Sequence, residues 1–153
     1  MYNITKKLLP LQAKKQSKAH LLETNNSKNI HMKPLNKQFA PKSVMPEKVI
    51  QFGEGNFLRA FVDWIIWNMD QKTDFNGSVV VVQPIEKGMV DWLNAQDCLY
   101  HVNLQGRENG KPVNTLERID VISRALNPYT QNAAFMALAD QPEIRFVISN
   151  TTE

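Results

Sequence analysis

The chain has 153 residues, 42% hydrophobic and 22% charged, enough for one domain with a real core and too few for two. Its net charge of +3 is unevenly placed: residues 1–48 hold ten lysines against Glu23 and Glu47, and residues 49–153 hold eight basic against thirteen acidic residues. The basic balance therefore belongs to a tail without arginine or interleaved aromatics, which excludes an ordinary nucleic-acid surface, while the remainder is mildly acidic.

Residues 1–47 are rich in Lys, Asn, Gln and Ser and contain Pro10, Pro34, Pro41 and Pro46. Such a segment buries too little surface to offset its ordering entropy, and a flexible basic N-terminal extension is expected. Its start, "MYNITKKLLPLQAKK", makes a poor signal peptide, because Pro10 breaks a three-residue apolar patch. With no long apolar run anywhere, a cytoplasmic protein without membrane partners is expected. Met32 is a candidate natural start, with residues 1–31 as an upstream extension.

The periodicity changes at Val49. "VIQF" (Val49–Phe52) reads as a short buried strand closed by Gly53 and Gly55. Apolar residues then fall at Phe57, Ala60, Phe61, Trp64, Ile65 and Trp67, a helical spacing with one wide apolar face. Asp74 to Gly77 supply a turn, and "SVVVV" (Ser78–Val82) follows as a strand covered on both faces. Together these make a βαβ unit. Beyond Pro84, Gly88–Gln96 is expected as a short helix packing Met89, Trp92 and Leu93. "CLYHVNLQG" (Cys98–Gly106) and "KPVNTLERIDVIS" (Lys111–Ser123) read as strands around a hairpin turn in "RENG". Tyr129–Asp140 has Ala134, Phe135, Leu138 and Ala139 on one helical face, with Thr130 or Asn132 as cap. Ile144–Asn150 is expected as another buried strand, and the chain stops at "TTE". A central parallel strand normally feeds a functional loop there, so the expectation is the N-terminal part of a longer domain.

Gly53 and Gly55 stand where a phosphate-binding turn needs them. The first lets the chain leave the strand sharply, and the second removes a side chain that would block a pyrophosphate at the helix N-terminus. Leu58 occupies the place of the usual third glycine, whose role in close packing falls to Ala60, and Arg59 is placed to reach a phosphate or a carboxylate of its own domain. No acidic residue closes the valine strand, only Gln83-Pro84 with Glu86 slightly beyond. Gln83 suits a ribose hydroxyl or tolerates a phosphate, so the residues leave NAD and NADP both open. The three histidines, His20, His31 and His101, form no metal-ligand cluster. Cys98, the only cysteine, excludes an intrachain disulfide and reads as inert packing. Trp64, Trp67 and Trp92 read as core or interface aromatics, and no carboxylate pair suggests acid–base catalysis.

"QFGEGNFLRAFVDW", followed in order by "VVVVQPI", "QDCLYHVNLQG", "VISRALNPY" and "FVISNTTE", resembles the long-chain mannitol dehydrogenase family from about Met32 to Glu153. The resemblance implies an α/β fold: an incomplete Rossmann-like dinucleotide-binding domain, residues 48–153, with a parallel βαβ core and an inserted β-hairpin. It implies NAD as cofactor. The binding loop would comprise Val49, Ile50, Gln51, Phe52, Gly53, Glu54, Gly55, Asn56, Phe57, Leu58, Arg59 and Ala60, matching the family's Gly-x-Gly-x-Phe-x-Arg-Ala. The implied reaction is metal-independent hydride transfer between D-altronate and D-tagaturonate, a small sugar acid and its keto form, in hexuronate breakdown. A mannitol or fructuronate type of the same family, a non-enzymatic binding module, and a gene fragment without activity of its own are the alternatives. The family's lysine base and its asparagine and histidine partners have no counterpart here, so no catalytic residue is assigned, Lys111 and His101 included.

Overall fold

The computed structural model describes residues 35–150. The readings for residues 1–34, the start at Met32 among them, lie outside the described residues, as do Thr151 to Glu153.

Strand β1 (Glu47–Phe52) pairs in parallel with β2 (Ser78–Val82), ending with Phe52 opposite Val82. Between them the chain forms a π-helical turn, Leu58–Val62, that runs into helix α1, Asp63–Lys72. This is the expected βαβ unit. Every residue of β2 is buried, which explains the valine run: a strand covered on both faces has no side for polar residues.

Helix α2 (Val90–Ala95) leads to an antiparallel hairpin of β3 (Tyr100–Glu108) and β4 (Lys111–Ile119). Its turn places Asn109 at φ 51° and Gly110 at φ 77°, the left-handed pair that a two-residue hairpin requires. The expectation of one continuous segment over Lys111–Ser123 is corrected. At Asp120 the chain leaves the hairpin, and β5 (Ile122–Leu126) joins the parallel sheet beside β2. Asp120 anchors the crossing by accepting from Trp67 Nε1 at 3.1 Å and from the Ser43 hydroxyl at 2.8 Å. Helix α3 (Asn132–Met136) and a 3-10 turn (Ala137–Asp140) then return the chain to β6 (Phe146–Ser149), which pairs in parallel with β1.

The sheet order is β5-β2-β1-β6. The first strand thus lies between the second and the last, and the direction of winding reverses between β1 and β6. In open α/β sheets ligands bind at such a reversal, beyond the carboxyl ends of the strands. One core lies between the sheet and the layer of α1, α2 and the hairpin, around Val49, Val79, Val81, Leu93, Tyr100 and Ile119. The other face packs Val80, Val82, Leu126 and Leu138 under Phe52 and Phe135, whose rings meet edge to face at 6.1 Å.

Five other expectations are corrected. The helix after β1 buries only part of its apolar stripe: Trp64 and Trp67 pack against the core, whereas Phe57, Phe61 and Ile65 are exposed, and Leu58, Arg59, Asp63 and Ile66 face the sheet. Two polar residues are turned inward because hydrogen-bond partners await them there. In α2 it is Val90 and Leu93 that are buried, while Trp92 is 47% exposed. Strand β6 is an edge, with Phe146 and Val147 more than half exposed, because no strand covers its outer side among the described residues. Residues 35–46, expected within the flexible extension, are fastened to the body: Lys42 Nζ donates to the carbonyls of Asp97 and Ser123 at 2.6 and 2.8 Å. Helix α3 carries no side-chain cap from Thr130 or Asn132. Instead Asn127 Oδ1 accepts from the Tyr129 N–H at 3.0 Å and shapes the preceding turn.

Candidate functional site

The loop from Gly53 to Phe57 lies at the carboxyl end of β1, at the reversal of the sheet. Gly53 N–H donates to Val82 O at 2.9 Å and Asn150 N–H to Phe52 O at 3.4 Å, so the ladders on both sides of β1 run to the mouth of the loop. Gly53 then turns the chain at φ +117°, a conformation that side chains with a Cβ rarely adopt. A Cβ there would also stand 2.9 Å from Leu58 Cδ1. The missing third glycine is thereby explained. Close packing of helix on strand is made by Leu58, 2% exposed, lying against Gly53. Ala60, which the sequence nominates for that role, is exposed.

Gly55 has a different character. It is exposed, and a Cβ on it would meet nothing within 4 Å. The loop therefore presents bare backbone to open space just before the first helical hydrogen bond, from Arg59 N–H to Gly55 O at 3.2 Å. The N–H groups that precede that bond carry the partial positive charge of a helix N-terminus, which suits an anion.

Arg59 does not extend into that space. Its Nε donates to Glu54 O at 2.9 Å and its guanidinium donates to Asn56 Oδ1 at 2.7 Å. The group lies over the rings of Tyr100 and Trp92, 5.5 and 5.8 Å from their centroids. Arg59 thus holds the loop from behind and leaves its charge close to the mouth.

Gln83 is also turned inward, where its polar atoms are bonded within the protein and not offered to a ribose or a phosphate. Its Nε2 donates to Ile85 O at 2.7 Å and Glu86 O at 3.0 Å, and its Oε1 accepts from Val90 N–H at 3.2 Å. Glu54, 8% exposed, accepts from Met89 N–H at 3.3 Å. The segment after β2 is therefore locked onto the glycine loop through Glu54 and Gln83, and Gly88 gives both side chains room. Sequence reasoning missed this locking segment; the only local signal was a glycine between two polar stretches.

Beneath the loop lies a buried polar cluster. Gln51 Nε2 donates to Gly53 O at 3.2 Å and to Asp63 Oδ2 at 3.4 Å. Tyr100 hydroxyl lies 3.2 Å from Asp63 Oδ2 and donates to Arg59 O at 3.0 Å, a carbonyl in the π-helical turn where Asp63 N–H bonds back to Leu58 O. Burial pushes the Asp63 carboxyl from 3.8 up to about 7, against the opposing pull of Gln51, Tyr100 and the Arg59 charge. Burial and the Asp63 charge likewise push the Tyr100 hydroxyl up.

Other candidates stand apart. His101 is exposed on β3. Cys98 is buried and its thiol is pushed up by that burial, the environment of an inert thiol. Among the described residues, no group of three His, Cys, Asp or Glu is placed to hold a metal, and no helix is long and apolar enough to cross a membrane.

Residues 47–153 match the mannitol dehydrogenase Rossmann domain. The chain is 77% identical over 122 residues to an altronate oxidoreductase of Phocaeicola vulgatus and 78% identical over 122 residues to that of Bacteroides thetaiotaomicron, covering 80% of this chain and 26% of each relative. The chain thus spans about a quarter of the length of these curated relatives. Among solved structures, the Pseudomonas fluorescens mannitol 2-dehydrogenase ternary complex with NAD and D-mannitol superposes with a TM-score of 0.61 at 23% identity, over 76% of this chain and 26% of that one. A D-sorbitol dehydrogenase in substrate-free form gives a TM-score of 0.60 at 23% identity, over 74% of this chain and 24% of that one. These likenesses show the fold. The match over residues 47–153, with the strand order and glycine turn beneath it, places the chain in the mannitol dehydrogenase family.

Proposed function

We propose that this chain is the N-terminal, NAD-binding portion of a cytoplasmic oxidoreductase that interconverts D-altronate and D-tagaturonate, small sugar acids of hexuronate breakdown. The cofactor loop is Val49–Ala60. Within it Gly53 makes the turn, Gly55 leaves the backbone open, and the N–H groups before Arg59 would hold the pyrophosphate. Gln51, Leu58 and Arg59 hold these groups in place from beneath and behind. NAD, when bound, supplies the hydride acceptor; the chain's own residues bind and orient it. The substrate reading rests on the altronate oxidoreductases at 77–78% identity. Residues 1–34 lie ahead of the nucleotide domain and take no part in this reading.

The observation that carries cofactor binding is the open space at Gly55 within a loop otherwise fixed on every side. A Gly55→Val side chain would enter that space from a Cβ that meets nothing within 4 Å. Titration of the chain with NADH, followed by nucleotide fluorescence, is expected to saturate for the wild type. Gly55→Val is expected to keep the same urea midpoint and lose at least about tenfold in affinity. Equal affinity in the two proteins would remove the loop from the cofactor site. A parallel titration with NADPH separates the two nucleotides, and altronate-dependent reduction of NAD by the longer polypeptide tests the substrate.

A further inference from the structure

The polar cluster beneath the loop holds a paired anomaly. Gln51 and Asp63 are both fully buried, at 0% exposure, and are joined through Gln51 Nε2 and Asp63 Oδ2. The remaining polar atom of each group, Gln51 Oε1 and Asp63 Oδ1, is buried without a hydrogen-bond partner. Two unpaired acceptors on one bonded pair are costly in a low-dielectric interior. A proton shared between these two oxygens would remove both defects. Rotating the Gln51 amide does not, because it would aim Oε1 at the acceptors Gly53 O and Asp63 Oδ2.

We propose that Asp63 is held as a neutral carboxylic acid whose Oδ1 hydroxyl donates to Gln51 Oε1, and that this acid–amide pair positions the nucleotide loop through the Gln51–Gly53 bond. Asp63 is a positioning residue that acts on the loop through Gln51. The groups that face it are Gln51 from β1, Arg59 from the π-helical turn and Tyr100 from β3. Arg59 is the only cation among them, and its Nε and one terminal nitrogen already donate to Glu54 O and Asn56 Oδ1. When Asp63 ionises, its proton passes to solvent, Oδ1 and Oε1 repel, and the amide loses its reason to face Gly53. A buried anion then also stands behind a loop meant to receive a pyrophosphate.

Folding provides a readout independent of any ligand. The folded carboxyl is raised from 3.8 to about 7, so between those values the folded state binds a proton that the unfolded state has released. The stabilisation is complete below the lower value, falls as pH rises through the window, and is absent above it. Asp63→Asn offers a donor group and an acceptor group in the same places, without a titratable proton. The cofactor readout rests on the proposed function, whereas the folding readout does not.

The test compares wild type and Asp63→Asn by urea unfolding and by NADH titration across the window from about pH 4 to about pH 8. Asp63→Asn is expected to fold as firmly as the wild type at the acidic end and more firmly at the alkaline end. Wild-type NADH affinity is expected to fall up to about tenfold per pH unit above the midpoint, and the variant's to stay flat. If Asp63→Asn is destabilised throughout and the two unfolding curves run parallel in pH, Asp63 is an anion and the proposal is overturned. If folding behaves as expected but NADH affinities share one pH profile, loop positioning is overturned and the acid–amide pair stands. Absence of NADH binding by the wild type at every pH overturns the cofactor reading, and the unfolding comparison still decides the proton.

Discussion

Gly88→Ala tests whether the segment after β2 is truly locked onto the glycine loop. An alanine Cβ there would lie 2.5 Å from Gln83 Oε1 and closer still to Glu54 Oε1. Both obstructing atoms are side-chain tips able to rotate away, so steric overlap is not the main penalty. The penalty comes from what that rotation breaks: Glu54 Oε1 to Met89 N–H at 3.3 Å and Gln83 Oε1 to Val90 N–H at 3.2 Å. Each bond contributes about 1 kcal/mol, more where a buried group is left unpaired. Alanine's smaller unfolded-state entropy returns about 0.5 kcal/mol. The net expectation is a loss of about 2 kcal/mol, a large share of a small domain's stability. Urea unfolding followed by tryptophan fluorescence reads it directly, since Trp92 sits in the helix that this segment feeds. Lys87→Ala, on the exposed side of the same segment, is the control and is expected to stay within about 0.5 kcal/mol. A Gly88→Ala protein that unfolds at the wild-type urea concentration would refute the locking argument.

Three further outcomes follow from other parts of the molecule. Gly53→Ala is expected to destabilise the fold by about 1–3 kcal/mol, because alanine is strained at φ +117° and meets Leu58; its urea midpoint should fall well below that of Gly55→Val. Tyr100→Phe removes the hydroxyl that bonds Arg59 O at 3.0 Å and is expected to lose about 1 kcal/mol with packing retained, measured by thermal unfolding. Asn94 donates to Ala125 O at 2.8 Å and accepts from Ala125 N–H at 3.1 Å, standing in for a strand beside β5. Asn94→Ala should lose about 2 kcal/mol and speed hydrogen exchange at Ala125, and unchanged exchange there would discount that role.

Much of this architecture is legible in the residues. The valine run, the paired glycines and Asn109-Gly110 each report a local requirement: a doubly covered strand, a sharp exit and a two-residue hairpin. β5 is not separable from β4 in the sequence, because "KPVNTLERIDVIS" reads as one strand-like stretch. The break at Asp120 depends on Trp67 and Ser43, both more than fifty positions away. The inner face of α1 was hidden for a related reason. Hydropathy assigns Phe57, Phe61 and Ile65 to the core, but Arg59 and Asp63 go inward because Glu54 O, Gln51 and Tyr100 receive them. The glycine loop was visible as a motif, whereas the packing of Leu58 on Gly53 and the turning inward of Gln83 are tertiary facts.

The position of β6 has a consequence for how the chain assembles. β1, β2 and β5 find their neighbours through connections that fold on the way, helix α1 and then the hairpin. β6 must return to β1 across roughly a hundred residues, Phe146 to Val49, and that closure is entropically the most demanding in the sheet. It is rewarded by a four-residue strand that is mostly exposed. Such a strand is expected to dock last and to open first, on the timescale of local unfolding rather than of global unfolding. The reversal of the sheet, where the glycine loop lies, is therefore completed only at the end of folding. A bound dinucleotide touching both β1 and β6 would act as a clasp on that late step, slowing the opening of β6 before it changed anything in β2 or β5.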